Sequence, residues 1–168
     1  MRNPARDNSP ECSTNAAMRL PDKLEFNVEV KWDGETGGLV NVGGRRLLIE
    51  IPKEFGGKGG NFCPDELLMA SIGGCLLTTL IWLAKRLKVK LSDVEVQVKG
   101  IVEGGLSGYE VSRVEASISV TIKRGEDKAR VERLVKLAEE YCHITRALSQ
   151  GVRLQVEDVV KVEGSKRA

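Results

Sequence analysis

The stretch from Leu67 to Ala84, LLMASIGGCLLTTLIWLA, carries no charged side chain. It is preceded by Pro64, Asp65 and Glu66. Proline suits a first helical position, where the N–H needs no partner, and carboxylates suit the positive end of the helix dipole. The pattern predicts a helix from Pro64 to about Lys88. A helix that is apolar all round either spans a membrane or lies wholly inside a core. By length the run is marginal against the ~20 residues of a spanning segment. Ser71, Gly73, Gly74, Thr78 and Thr79 dilute its hydrophobicity, and its neighbours are amphipathic segments that themselves need a core. A buried helix and no membrane are therefore expected. A chain of 168 residues cannot surround about six helical turns on every side. The run implies a second subunit.

The flanking segments read as strands. Leu24, Phe26, Val28, Val30 and Trp32 alternate with Glu25, Asn27, Glu29 and Lys31, which predicts a half-buried strand over 24–32. Asp33-Gly34 and Gly37-Gly38 mark a turn, residues 39–42 a second strand, Gly43-Gly44 a hairpin turn, and Arg45 to Ile51 a third strand. A glycine-rich loop, Pro52 to Phe62, leads to the long helix. It lacks the order of a phosphate-binding loop. Beyond the helix, Val94, Val96 and Val98 open a strand, and Tyr109 to Lys123 forms a longer one. Val131, Leu134, Val135, Ala138 and Tyr141 space out a second helix, and residues 152–162 make a last strand. The predicted fold class is α+β in the order βββ-α-ββ-α-β, one domain over 23–168 behind a flexible tail over 1–22.

Composition excludes some partners. Lys and Arg number 26 against 24 Asp and Glu, a net charge of +2, and aromatics make up 4% of the chain. Neither a strong electrostatic partner nor a base-stacking nucleic-acid surface is expected. The N-terminal residues contain no secretory apolar segment, so a cytoplasmic, reducing setting is expected. There the four cysteines, Cys12, Cys63, Cys75 and Cys142, read as redox or catalytic groups before they read as staples. Cys75 follows Gly73-Gly74 in mid-helix, where two glycines cost about 2 kcal/mol relative to alanine. Close packing or open access to the sulfur has to offset that cost. An inert buried thiol and a reactive one both fit. Cys142 lies 67 positions later, so only the fold can bring the two together. Cys63, Cys75, Cys142 and His143 are zinc-type ligands but contain no Cys-x-x-Cys pair, and no metal or cofactor is expected. His143, next to Cys142, could serve Cys75 as a base only if the fold joined them.

The block Pro64-Asp65-Glu66-Leu67-Leu68-Met69-Ala70-Ser71-Ile72-Gly73-Gly74-Cys75 resembles the signature of the OsmC/Ohr family. Phe55-Gly56-Gly57-Lys58-Gly59-Gly60 is similar to that family's glycine loop, and Glu140-Tyr141-Cys142-His143-Ile144-Thr145-Arg146-Ala147-Leu148 to its second-cysteine segment. The resemblance spans about residues 24–163 and points to the broader OsmC-like branch rather than a typical Ohr. It implies an intertwined homodimer around central buried helices, and reduction of organic hydroperoxides with an external dithiol as reductant. Cys75 matches the peroxidatic cysteine and Cys142 the resolving one. A carboxylate at the helix start, Asp65 or the neighbouring Glu66, should orient an arginine over the thiolate. That arginine is missing from the matching turn, Lys31 to Gly37. Lys31, Arg45, Arg46 or Arg146 is left to supply the charge. The missing arginine also leaves room for an alternative: a non-catalytic OsmC-like dimer that binds an apolar ligand or partner in an interfacial pocket.

Overall fold

The computed structural model describes residues 22–106, 108–149, 151 and 153–162. The tail and Cys12 lie outside them, apart from Asp22. Strands β1 (Glu29–Trp32), β2 (Gly37–Val42) and β3 (Arg45–Glu50) form an antiparallel meander. A 3-10 turn (Lys53–Phe55) precedes α1 (Pro64–Arg86). Then follow β4 (Leu91–Gly105), β5 (Gly108–Ile122), α2 (Lys128–Tyr141), α3 (His143–Leu148) and β6 (Arg153–Val162). The second sheet runs β4-β5-β6, with β4 antiparallel and β6 parallel to β5. The fold class is α+β, as the hydrophobic pattern indicated.

Three boundaries differ from the sequence reading, each for a local reason. The first strand pairs only from Glu29, because β2 ends its register at Asn41 opposite Glu29 and leaves residues 23–28 without a ladder partner. Helix α1 closes at Arg86, where Leu87 takes the cap position and Lys88 adopts positive φ. Residues 143–148, which the predicted order assigned to no element, form a helix of their own, so the order becomes βββ-α-ββ-α-α-β. Cys142 has extended backbone and ends α2 while it begins α3.

The core lies between α1, α2 and the β4-β5-β6 sheet. Ile72, Leu76 and Leu80 of α1, Ile118, Val120 and Ile122 of β5, and Val131, Val135 and Ala138 of α2 are wholly inaccessible to solvent. At about 1.5–3 kcal/mol for each fully buried large aliphatic side chain, this layer dominates the stability of the fold. Gly73 explains half of the double glycine. A Cβ on it would sit 3.1 Å from Val98 Cγ2, so glycine lets α1 lie close on β4. A Cβ on Gly74 would meet nothing within 4 Å.

The expectation of a wholly buried α1 holds for one face within a single chain. The helix is long and apolar enough to cross a membrane, but Ile72, Cys75, Leu76, Leu80, Leu83 and Ala84 are buried against the sheet and α2. The other face borders an open groove of about 500 Å³ lined by Glu66, Met69, Ala70, Gly73, Gly74, Leu77, Val96 and Val98. The alternating apolar row of the first segment is also uncovered, with Phe26 84% and Trp32 74% exposed.

One titrating group at the core's edge makes a prediction. Burial beside β6 pushes the Glu139 carboxyl above its ordinary range, and Asp158 pushes it further up, against Lys136. Its folded-state pKa therefore lies above its unfolded value. The protonated form favours the fold, and stability falls as pH rises from the ordinary carboxylate value through the raised one. Glu139→Gln should be more stable than the parent at pH 7 and match it near pH 4 in urea unfolding. An equal effect at both pH values would remove Glu139 as the cause.

Candidate active site

Two helices and a cap bring the thiols together. Cys75 sits on the buried face of α1, and Cys142 is fully buried at the junction of α2 and α3. The Cys142 backbone is pinned from both sides. Its N–H donates to Ala138 O at 3.0 Å, and its carbonyl accepts from Arg146 N–H and from the buried Thr145 hydroxyl, both at 3.1 Å. The Cys75 and Cys142 thiols are hydrogen-bonded to each other, and both are free. A separation of 67 positions in the chain thus ends in direct side-chain contact.

Burial pushes the Cys75 thiol above its ordinary pKa, and the hydrogen bond with Cys142 pushes it further. The Ile144 backbone N–H at the start of α3 and the Thr79 hydroxyl one turn along α1 act the other way, since each donates a hydrogen bond that steadies a thiolate. Thr79 carries a role the sequence reading missed. It stood there only as a polar dilution of the apolar run, although its i+4 spacing from Cys75 put it on the same face. The largest influences on Cys75 among the described residues are burial, Cys142, Ile144 and Thr79, none of them a cation.

The remaining candidate residues lie elsewhere. Glu66 closes a capping box, its Oε2 accepting from the Cys63 N–H at 2.8 Å. Asp65 Oδ2 accepts from the Cys63 thiol at 3.4 Å. Both carboxylates therefore serve the start of α1, about 15 Å below Cys75 at 1.5 Å per residue. Lys31 is exposed on the edge strand and pairs with Glu29 at 3.1 Å. Arg45 and Arg46 occupy the far end of the β2–β3 hairpin, exposed to solvent. Arg146 is exposed in the last turn of α3. His143 is exposed as well and is absent from the interactions that shift Cys75, so a Cys–His arrangement is not formed.

The start of α1 faces the meander across a pocket of about 390 Å³ bounded by Trp32, Glu35, Glu50, Phe55, Cys63 and Asp65, among others. Here Glu50 is a second residue that sequence reasoning passed over. It is 6% exposed, and its Oε1 accepts from Lys58 N–H at 2.6 Å and from the Thr36 hydroxyl at 3.2 Å. The signal was a carboxylate inside the apolar run Leu47–Ile51.

The family model for OsmC-like protein matches residues 57–157, which include both cysteine blocks and the strands β4 and β5 between them. The chain belongs to the OsmC-like protein family. Bacillus subtilis YmaD, described as uncharacterized, is 31% identical over 144 residues, covering 83% of this chain and 96% of that protein. A Staphylococcus epidermidis protein named organic hydroperoxide resistance protein-like 2 is 25% identical over 112 residues, covering 65% of this chain and 76% of its own. Among solved structures, an OsmC-like protein from Mycoplasma pneumoniae superposes with a TM-score of 0.71 at 14% identity, over 84% of this chain and 99% of that one. That last likeness bears on the fold alone.

The thiol environment predicts opposite outcomes for two substitutions. Thr79→Val should move the pH midpoint of Cys75 alkylation upward, because the thiolate loses a donor. Cys142→Ala should move it downward, because a group that favours the thiol form is gone. Alkylation rates across pH 6–10, read at the Cys75 peptide by mass spectrometry, check both. A shift of the same sign in the two variants contradicts the arrangement.

Proposed function

We propose that the chain is a thiol-based peroxidase of oxidative-stress defence that reduces organic hydroperoxides as a homodimer. The observation that supports this most is the contact between the Cys75 and Cys142 thiols in the buried layer. A sulfenic acid formed at Cys75 has its resolving partner already in place. The hydroperoxide-resistance name of the Staphylococcus epidermidis relative points the same way.

The steps balance as follows. The Cys75 thiolate attacks the terminal oxygen of the hydroperoxide, and the O–O bond breaks. The sulfur is oxidised to a sulfenic acid, and the leaving alkoxide takes a proton to become the alcohol. The Cys142 sulfur then attacks the Cys75 sulfur, a disulfide forms and water leaves. An external dithiol returns both cysteines to thiols and is itself oxidised to a disulfide. The apolar surroundings of Cys75, with Ile72, Leu76 and Leu80 on the same face, favour an alkyl or aryl hydroperoxide over hydrogen peroxide.

Attack requires a thiolate, and burial opposes it. A positive charge has to come from outside this chain's own buried layer, both to lower the thiol pKa and to steady the departing alkoxide. In a homodimer the second copy supplies it. Its N-terminal meander carries Lys31, with Asp65 and Glu66 at the helix start as orienting carboxylates. The uncovered face of α1 and the exposed row Leu24–Trp32 are the surfaces such a partner would cover. Gly74 reports on this directly. In an isolated chain Gly74→Ala should stabilise the helix by about 1 kcal/mol, because the added Cβ meets nothing. With a second α1 seated in the groove, the same methyl weakens the dimer. Sedimentation of Gly74→Ala beside the parent should show dissociation at higher protein concentration.

That the largest influences on Cys75 among the described residues are burial and neutral groups favours a second reading, in which the dimer binds an apolar ligand without turnover. One experiment separates the two. A slight excess of cumene hydroperoxide should be consumed, and peptide mapping should show a Cys75–Cys142 disulfide. Cys75→Ser should abolish consumption, and Cys142→Ser should leave a trappable sulfenic acid. Peroxide left intact with both thiols free would sink the peroxidase reading and leave the binding one.

A further inference from the structure

We propose that the pocket between the meander and the start of α1 takes a small aminothiol, its ammonium on Glu50 and its sulfur joined to Cys63 in a mixed disulfide. The site is independent of the peroxidase reading, which uses Cys75 and Cys142.

The backbone brings the two receiving groups together. Phe62 makes a parallel bridge with Ile49, and Glu50 N–H donates to Phe62 O at 2.9 Å. Cys63 continues from Phe62 with extended backbone, so it runs alongside Glu50 at about the 4.8 Å spacing of paired strands. Both residues line the pocket of about 390 Å³, and both also line a second one of about 260 Å³ toward Gly59 and Gly60. The Cys63 thiol is free and half-buried.

Glu50 has one oxygen to spare. The residue is 6% exposed. Its Oε1 accepts from Lys58 N–H at 2.6 Å and from the Thr36 hydroxyl at 3.2 Å, which fixes the carboxylate. Its Oε2 is buried and has no hydrogen-bond partner among the described residues. A buried carboxylate oxygen without a donor is costly. Lys58 leaves that cost in place, because its ammonium pairs with Glu35 at the surface.

The remaining walls choose the ligand. No Lys, Arg or His is among the described residues lining the larger pocket, whereas Glu35 and Asp65 add further carboxylates. Such a lining attracts a cation and repels an anionic thiol. Trp32 and Phe55 offer apolar walls for a methylene chain, and both rings are held. The Trp32 indole N–H donates to Glu35 O at 3.0 Å, and Phe55 packs edge-on against Tyr109 with ring centroids 5.0 Å apart. An ammonium two carbons from a sulfur suits neighbouring side chains of this kind. The ligand class is therefore a short thiol with a cationic end and no carboxylate.

Attachment is an exchange and needs no oxidant. The Cys63 thiol, which donates to Asp65 Oδ2 at 3.4 Å, gives up its proton. Its sulfur attacks one sulfur of the aminothiol's symmetrical disulfide. The old S–S bond breaks, a new one forms at Cys63, and the other half leaves as a thiolate that takes up the proton. One disulfide replaces another, so there is no net oxidation or reduction.

The experiment times mixed-disulfide formation at the Cys63 peptide with cystamine and with bis(2-hydroxyethyl) disulfide, which carry ammonium and hydroxyl on the same chain. The ratio of the two rates in the folded protein is divided by the same ratio in urea, which removes the reagents' intrinsic difference. The quotient should be at least about ten in the parent, the scale of a charge-assisted hydrogen bond out of water. Glu50→Gln should bring it to within about twofold of unity, and Glu35→Gln, at the surface, should keep most of it. Ethylammonium chloride should slow the cystamine reaction of the parent more than sodium chloride does at equal ionic strength, an arm that stands even if Glu50→Gln fails to fold. Peroxide is absent throughout, so a failure of peroxidase turnover leaves every arm intact. A parent quotient near one, a quotient unmoved in folded Glu50→Gln, or equal effects of the two salts would overturn the assignment. So would a Cys63 that neither disulfide modifies in the native protein, which would mean that a second copy covers the pocket.

Discussion

The packing of one face of α1 on the β4-β5-β6 sheet sets the depth of Cys75, and most of the molecule follows from it. Ile72, Leu76, Leu80 and Leu83 anchor that face, and α2 closes the layer with Val131, Leu134, Val135 and Ala138. Truncating one such residue to alanine typically costs about 2–5 kcal/mol, which is comparable to a large share of a domain's net stability. The thiol sits on the same face, so its burial and the fold's stability have one source. The close approach at Gly73 serves the same contact: a side chain there would lift α1 off Val98.

That depth has an electrostatic consequence. Among the described residues, the partners that most affect Cys75 are neutral: a second thiol, a backbone N–H and a hydroxyl. Two of these donate to sulfur and offset part of the desolvation cost, but burial still wins and holds the group as a thiol. The same dry surroundings magnify any charge that does arrive, because attraction strengthens as the local dielectric falls. A site built this way is quiet in isolation and responsive to a cation delivered from outside.

Local pattern in the sequence carried much of this. Period-two alternation located the strands, the uncharged run located α1, and the apolar stripe at Val131, Leu134, Val135 and Ala138 located α2. The Gly43-Gly44 turn and the Pro64 helix start sit where the residues placed them. What stayed hidden depends on partners distant in the chain. The contact between Cys75 and Cys142 needs the α1–α2 packing, and nothing in either local segment encodes it; only the paired blocks of the family signature suggested it. Residues 24–28 alternate as a strand should, yet they have no ladder partner among the described residues, since alternation reports amphipathicity and not the presence of a neighbour. Glu50 was invisible because burial of a carboxylate depends on Thr36 and Lys58, which contribute its hydrogen bonds from two other segments.

Lysine and arginine differ in how a carboxylate can hold them. Arginine holds a carboxylate through two parallel hydrogen bonds, so a single acidic residue at a helix start can fix its position. Lysine is a point charge on a flexible stem and gains no orientation from one carboxylate. Around Lys58 the chain places more than one acid, Glu35 at the surface and Glu50 beneath, and clamps the lysine's backbone to Glu50 as well. Asp65 and Glu66 are meanwhile engaged with Cys63. The Lys58 ammonium, paired with Glu35 at the surface, faces water, and the field it projects is screened.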